Sequence, residues 1–356
     1  MHLEDLVPHT TDENIVDFNE PLSALQRATE ELEYSNLLDS AALETSDSCR
    51  RLALVAVFAV STYSTTGTRT TKPFNPLLAE TYECDRKIDK GWRSLAEQVS
   101  HHPPTMLYHH YQKKGRSLCV MPVGSTYVRF LDNDDVFVYD KVCTSSTMTN
   151  IVSGKLQTEN CGDFLVFNSS TGDKCLLKFH EQGGIFSREV PKKVSGTVID
   201  ASGRPRYRIE AIWDQYANLY RLDSNQQARS EETVWMVDPL PINSAKMHNF
   251  TEFAIELNQP EAGVAPTDSR NRPDQRLMEQ GIDWTTANAI KQQLEEAQRV
   301  RRRLAADKKH RPLWFVEKRE EEMLDKNDVY AFTGEYWQRK EKQDWSVCPK
   351  IFTLEK

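Results

Sequence analysis

The chain of 356 residues carries 45 Lys and Arg against 53 Asp and Glu, a formal net charge of −8, and 38 % of it is hydrophobic. This length allows one large domain or two ordinary ones with a real core, and the acidic balance argues against a nucleic-acid binder acting through bulk charge, because phosphate neutralisation wants a basic face. Seven scattered cysteines with no CxxC pair read as reduced intracellular thiols, neither a disulfide framework nor a zinc site.

The acidic, polar start is no signal peptide. Residues 1–18 carry no strong pattern; Leu3, Leu6 and Val7 would form one weak amphipathic turn. Asn19 has N-cap chemistry and Pro21 suits a first turn, so a helix is predicted from Asn19, with Leu22, Leu25, Ala28 and Leu32 at near-helical spacing. A second helix is predicted over 49–63, apolar almost all round and therefore interior. Its most apolar run, 52–60, is far shorter than the roughly 20 residues of a membrane span.

From about 105 to 255 the texture changes to short runs rich in Val, Phe, Tyr and Thr, such as 127–130, 136–139, 164–167 and 176–179. In 206–213, Tyr207, Ile209, Ala211 and Trp213 alternate with Arg206, Arg208 and Glu210, as in a half-buried strand. Asp200-Ala201-Ser202-Gly203 just before it suits a hairpin turn. Many short strands at this spacing predict a large antiparallel sheet or barrel. Residues 259–275, rich in Pro, Asp and Arg, read as ordered loop or linker, and a charged helix is predicted over about 285–309. The tail, 312–356, holds Trp314, Phe315, Tyr330, Phe332, Tyr336 and Trp337, which argues for docking on the domain.

Three segments carry chemistry. In Lys72-Pro73-Phe74-Asn75-Pro76 two prolines stiffen the backbone around Lys72; an ordinary surface loop is the competing account. In Glu97-Gln98-Val99-Ser100-His101-His102-Pro103-Pro104 paired prolines follow two imidazoles. Beside a phosphate monoester both would be driven to the cationic form and would donate charge-assisted hydrogen bonds. Ordinary loop histidines and a metal site completed by His109 and His110 are the rivals. Adjacent residues in extended chain point apart and no Cys or carboxylate cluster matches, so no metal is called for. In the third segment Lys291, Glu295 and Arg299 share one helical face. A solvated face would look the same, but 285–311 holds eight Lys or Arg against three Asp or Glu, which makes it a candidate anion- or membrane-facing patch.

Together these segments resemble one family. EQVSHHPP at 97–104 is similar to the fingerprint of the oxysterol-binding protein family, whose lipid-binding domain it marks. FNEPLSALQ at 18–26, KPFNPLLAETYE at 72–83 and PTDSRNRPDQRLMEQG at 266–281 resemble further stretches of that domain, so the likeness covers nearly the whole chain. EELEYSNLLD at 30–39 and TYECDRKIDKG at 81–91 look most like the branch of oxysterol-binding protein-related proteins 3, 6 and 7.

The resemblance implies a mainly β fold with helices (α+β), a large incomplete antiparallel β-barrel around a lipid tunnel. A single lipid-binding domain would hold a lid at 1–18, N-terminal helices at 19–70, the barrel at 71–258 and a C-terminal helical subdomain at 259–356. It implies binding of phosphatidylinositol 4-phosphate and its exchange for a sterol or another phospholipid; the sequence offers no cysteine signature loop, clustered metal carboxylates or serine elbow, so no enzymatic activity and no cofactor are expected. It also implies peripheral attachment to organelle membranes or membrane contact sites from the cytoplasm.

Carried over residue by residue, His101, His102 and Arg299 suit the 4-phosphate, Lys72 the diester, and Lys291 and Glu295 the inositol hydroxyls, with Asn75 near the glycerol phosphate. Tyr63 on the buried helix is a candidate for the tunnel lining. Two features depart from the family pattern: Ala79 stands where an LLGE run has Gly, and the stretch before Phe18 is short and acidic. A phosphoinositide-dependent tether or sensor without net transport, and a phosphoinositide-processing enzyme, are the alternative functions.

Overall fold

The computed structural model describes residues 19–353 except Thr70, 102–103, 113–115, 121–124, 131–133, 142, 149–155, 182–189, 282–283, 306–309 and 325–328. The expectations for 1–18, the lid included, and for His102 lie outside the described residues.

Strand β1 (Asn19–Ser23) lies parallel to β2 (Lys72–Phe74), so the helix predicted from Asn19 is corrected. The Asn19 side chain donates to the carbonyls of Lys72 and Pro73 at 3.1 and 3.3 Å. The true cap is Ser23, which forms a capping box with Gln26 at the start of α1 (Ala24–Thr29). Asn and Pro suit an extended segment as well as a helix start, and the strand that decides between them lies 53 residues on. Helix α2 (Asn36–Leu43) buries Leu37, Leu38 and Ala41. Helix α3 (Ser48–Ser61) is interior as predicted, with Cys49 and every residue from Arg51 to Ser61 buried.

An antiparallel meander follows: β3 (Thr81–Arg86), β4 (Trp92–His101), β5 (Pro104–Gln112), β6 (Arg116–Val120), β7 (Ser125–Phe130) and β8 (Asp135–Asp140). Strand β9 (Cys143–Met148) pairs with the first half of β10 (Leu156–Asn168), whose second half pairs with β8. The meander continues through β11 (Lys174–Phe179), β12 (Lys193–Ile199), β13 (Pro205–Ile212), β14 (Tyr216–Leu222) and β15 (Ala228–Met236). The 13 strands form one sheet whose order ends at β3 on one side and β15 on the other, an incomplete antiparallel barrel.

Alternation sets what faces inward. Tyr207, Ile209, Ala211 and Trp213 are buried, as predicted, and join Phe137, Phe164 and Phe179 and the side chains of α3 in one core. The α1–α2 junction bridges the seam between the two sheet ends. Tyr34 packs edge-on against Trp235 of β15 at 5.3 Å, and the Ser35 hydroxyl accepts from the Trp92 indole of β4 at 3.0 Å.

Beyond the sheet lie α4 (Glu252–Glu256), α5 (Pro273–Glu279), α6 (Trp284–Ala305), a small antiparallel pair β16 (Phe315–Glu317) and β17 (Tyr330–Phe332), and α7 (Glu335–Lys342). The segment read as loop therefore ends in α5, whose first turn begins with Pro273. The aromatic tail docks on the outer face of β4. Trp92 and Ala96 belong to the barrel core, whereas Leu95 and Val99 pack with Trp314, Phe315, Tyr336 and Trp337.

Glu97 lies on that same outer face, fully buried, and accepts from the backbone N–H groups of Leu313 at 2.7 Å and Trp314 at 3.0 Å. Burial pushes its carboxyl up to about 7 against the opposing pull of those two donors. The folded value lies above the ordinary 4.5, so the fold retains a proton that the unfolded chain releases. The resulting stabilisation is fully present below about pH 4.5 and is lost as pH rises through about 7. Glu97→Gln is neutral throughout, and it should reduce the loss of urea-unfolding free energy between about pH 5 and 7.5 by about 1–3 kcal/mol. An unchanged pH profile would mean that Glu97 is ionised across the range.

Candidate functional site

The turn after β2 is built around Phe74, whose ring is fully buried against Met278 of α5. The Arg272 guanidinium lies 5.1 Å from the centre of that ring and the Lys291 ammonium 6.0 Å from it. Arg272 is itself fully buried. It donates to the Asn75 carbonyl at 2.7 Å and to Glu80 at 3.1 Å, and pairs with both carboxylate oxygens of Asp274 at 2.8 and 3.0 Å. Burial opposes its charge, but Glu80 and Asp274 more than offset that and hold it cationic.

The turn is locked to two further elements. The Leu78 N–H donates to Gln298 of α6 at 2.7 Å. The Ala79 N–H donates to the Gln98 carbonyl of β4 at 2.9 Å, and the Gln98 N–H returns to the Glu80 carbonyl at 2.9 Å. Thus β2, α6 and the strand that ends in His101 meet at one place.

Lys72 and Asn75 are exposed at this junction, while Lys291 and Glu295 are half-buried on α6. Burial lowers the basicity of Lys291; Glu295 works against the shift, whereas Arg272 and Lys72 add to it by repulsion. Among the described residues no carboxylate comes within 4.0 Å of the Lys72 or Lys291 ammonium group. Arg299 is 63 % exposed and bridges Glu296 at 3.0 Å and Glu295 at 3.8 Å, so it stands beside the junction with its charge already shared.

His101 ends β4 opposite Pro104, three residues beyond Gln98, which the turn holds; its side chain lies outside the described residues. Tyr63 is elsewhere, just past α3, packed edge-on to Phe179 at 5.1 Å. It borders a cavity of about 180 Å³ lined also by Arg27, Glu30, Glu33 and Lys141. Sequence reasoning missed Arg272, Gln298 and the anchoring role of Glu97. The arginine-rich run 270–276 was the available signal for the first.

A sequence profile described as "Oxysterol-binding protein" matches residues 16–341. The chain belongs to the oxysterol-binding protein family. Mouse (Mus musculus) oxysterol-binding protein 2 is 43 % identical over 95 % of the chain but only 41 % of its own length. Human oxysterol-binding protein-related protein 6 is 37 % identical over 93 % of the chain and 36 % of its own. The chain therefore spans about two-fifths of these relatives. Among solved structures, the Osh3 ORD from Saccharomyces cerevisiae, in complex with PI(4)P, aligns with a TM-score of 0.78 at 29 % identity, covering 96 % of this chain and 91 % of that one. The Osh1 ORD domain in complex with cholesterol aligns at 0.76 and 31 %, covering 92 % and 84 %.

Ala79 has φ +67° and is buried within the turn between β2 and β3. A left-handed backbone costs a residue with a Cβ about 1–2 kcal/mol, and glycine's extra chain entropy returns about 0.5–1 of it. Ala79→Gly should therefore raise the unfolding free energy by roughly 0.5–1 kcal/mol in urea titration. A loss of stability would show that the methyl group makes packing contacts worth more than the strain.

Proposed function

We propose that this domain binds phosphatidylinositol 4-phosphate at the junction of β2, β4 and α6 and, in alternation, takes up a sterol or another phospholipid, exchanging the two between membranes. The observation that carries the reading is the pair of ammonium groups on Lys72 and Lys291. Neither has a carboxylate partner within 4.0 Å among the described residues, and the turn that follows Lys72 is hydrogen-bonded both to Gln298 on the helix of Lys291 and to Gln98 on the strand that ends in His101. A phosphate monoester carries about −1.5 to −2 charge at neutral pH and would supply the missing counter-charge. The likeness to the Osh3 ORD in complex with PI(4)P and to the Osh1 ORD domain in complex with cholesterol supports the two ligand classes.

In this reading Lys72 meets the diester, with Asn75 near the glycerol phosphate. His101, His102 and Arg299 meet the 4-phosphate, and Lys291 and Glu295 meet the inositol hydroxyls. Arg299 would have to exchange Glu296 for the phosphate, a cheap step for an exposed pair worth about 0–1 kcal/mol. Acyl chains would gain about 0.8 kcal/mol per buried CH2, which offsets their extraction from a bilayer. The protein works from the membrane surface, and no bond in either lipid is made or broken.

Lys72→Ala with Lys291→Ala should lower phosphatidylinositol 4-phosphate extraction from liposomes by at least about tenfold, since each lost charge-assisted contact is worth about 1.5–3 kcal/mol. His101→Ala with His102→Ala should abolish extraction. Sterol uptake should persist in both variants, and labelled phosphoinositide should be recovered unaltered. Unimpaired extraction by the histidine variant would remove the site assignment. Binding to liposomes with no lipid taken out would favour a tether, and altered lipid an enzyme.

A further inference from the structure

The outer wall of the barrel carries a second surface that the headgroup site does not use. On β10 and β11 the residues Phe164, Val166, Cys175, Leu177 and Phe179 point into the core, so Leu165, Phe167 and Leu176 point out. These three are 48 %, 38 % and 47 % exposed, unusually open for side chains that adjoin one another. Leu165 stands directly opposite Leu176, and Phe167 is opposite Val138 of β8 on its other side. Single exposed leucines need no explanation, but a contiguous apolar group on a sheet face does.

Three lysines stand around the group against two exposed carboxylates, Asp163 on β10 and Asp140 at the end of β8. Lys174 is opposite Phe167, Lys178 follows Leu176 on the same face, and Lys193 continues that face on β12. Among the described residues no carboxylate lies within 4.0 Å of any of these three amines, although Asp163 is the cross-strand neighbour of Lys178. An excess of unpaired lysine around an apolar centre, in a chain of net charge −8, fits a surface that is apolar inside and anionic outside. A second copy of this chain fits poorly, because a two-fold contact would set lysines against lysines. Lysine stems also suit a bilayer interface, where they lie along apolar material with the ammonium in the headgroup layer.

We propose that this patch is a lipid-docking surface: the wall formed by β8, β10 and β11 seats Leu165, Phe167 and Leu176 on an anionic bilayer, with Lys174, Lys178 and Lys193 among the headgroups. Four strands, β5 to β8, separate β10 from β4 in the sheet order, so the patch is set roughly 24 Å round the wall from the headgroup junction, at about 4.8 Å per strand spacing. The proposal rests on the lipid-transfer reading only for its choice of a bilayer as occupant.

The test is flotation of the full chain with phosphatidylcholine vesicles with and without phosphatidylserine, all free of phosphoinositide so that no 4-phosphate is offered to the headgroup site. Wild type should co-float with the phosphatidylserine vesicles. Leu165→Asp with Leu176→Asp, and separately Lys174→Glu with Lys178→Glu, should each weaken partitioning at least about tenfold at unchanged thermal stability. Lys72→Ala with Lys291→Ala should float like wild type. Failure of wild type to float, or flotation of both patch variants at wild-type levels, overturns the proposal. So does a wild-type dimer in sedimentation that the leucine variant converts to monomer. If wild type floats through the patch yet extracts no phosphoinositide from liposomes that contain it, the transfer reading falls and the docking surface stands.

Discussion

A single buried guanidinium organises the candidate site. Arg272 has no exposed surface, yet it reaches the backbone of the β2 turn, two carboxylates and the face of Phe74. Removing one partner from such a buried group typically costs about 3–5 kcal/mol, because the remaining charges are left without compensation. The energetic weight of the arrangement therefore lies in position. It fixes Lys72 and Asn75 against α5, and through Gln298 against α6, so the exposed polar groups sit on a scaffold that is already paid for by interior contacts. A site ordered before its ligand arrives loses less entropy on binding.

Strand β4 shows the same economy from the other side. Its inward residues Trp92 and Ala96 belong to the barrel core, and its outward residues Leu95, Glu97 and Val99 hold the C-terminal aromatic cluster. The segment 97–104 is thus half anchor and half candidate ligand set: Glu97 clamps the backbone of 313–314, and the same strand runs four residues further to His101. The C-terminal segment acts as a brace that defines where that strand ends. Gln98, between anchor and ligands, exchanges backbone hydrogen bonds with the Ala79–Glu80 turn and so couples both sequence motifs.

The barrel was legible in the sequence because period-two alternation leaves a direct trace: Tyr207, Ile209 and Ala211 announce their strand without reference to any partner. The all-apolar α3 was legible for a similar reason. Strand β1 was not, because its identity rests on β2, and Asn19 and Pro21 carry local signals that a helix start also uses. At the candidate site, the charged and proline-rich motifs marked Lys72 and the α6 stripe, whereas the histidine pair lies outside what the described side chains show. Arg272 and Glu97 stayed hidden because a charged residue reads as exposed until its burial and partners are known, and those partners come from segments 192 and 217 residues away.

The electrostatics of Lys291 bear on the ligand preference that the proposed reading gives the site. Burial depresses its basicity, and repulsion from Arg272 and Lys72 adds to the effect. Glu295 limits the effect by drawing Lys291 the other way. On the proposed reading a phosphate dianion would favour the charged form of Lys291, which a sterol hydroxyl would not.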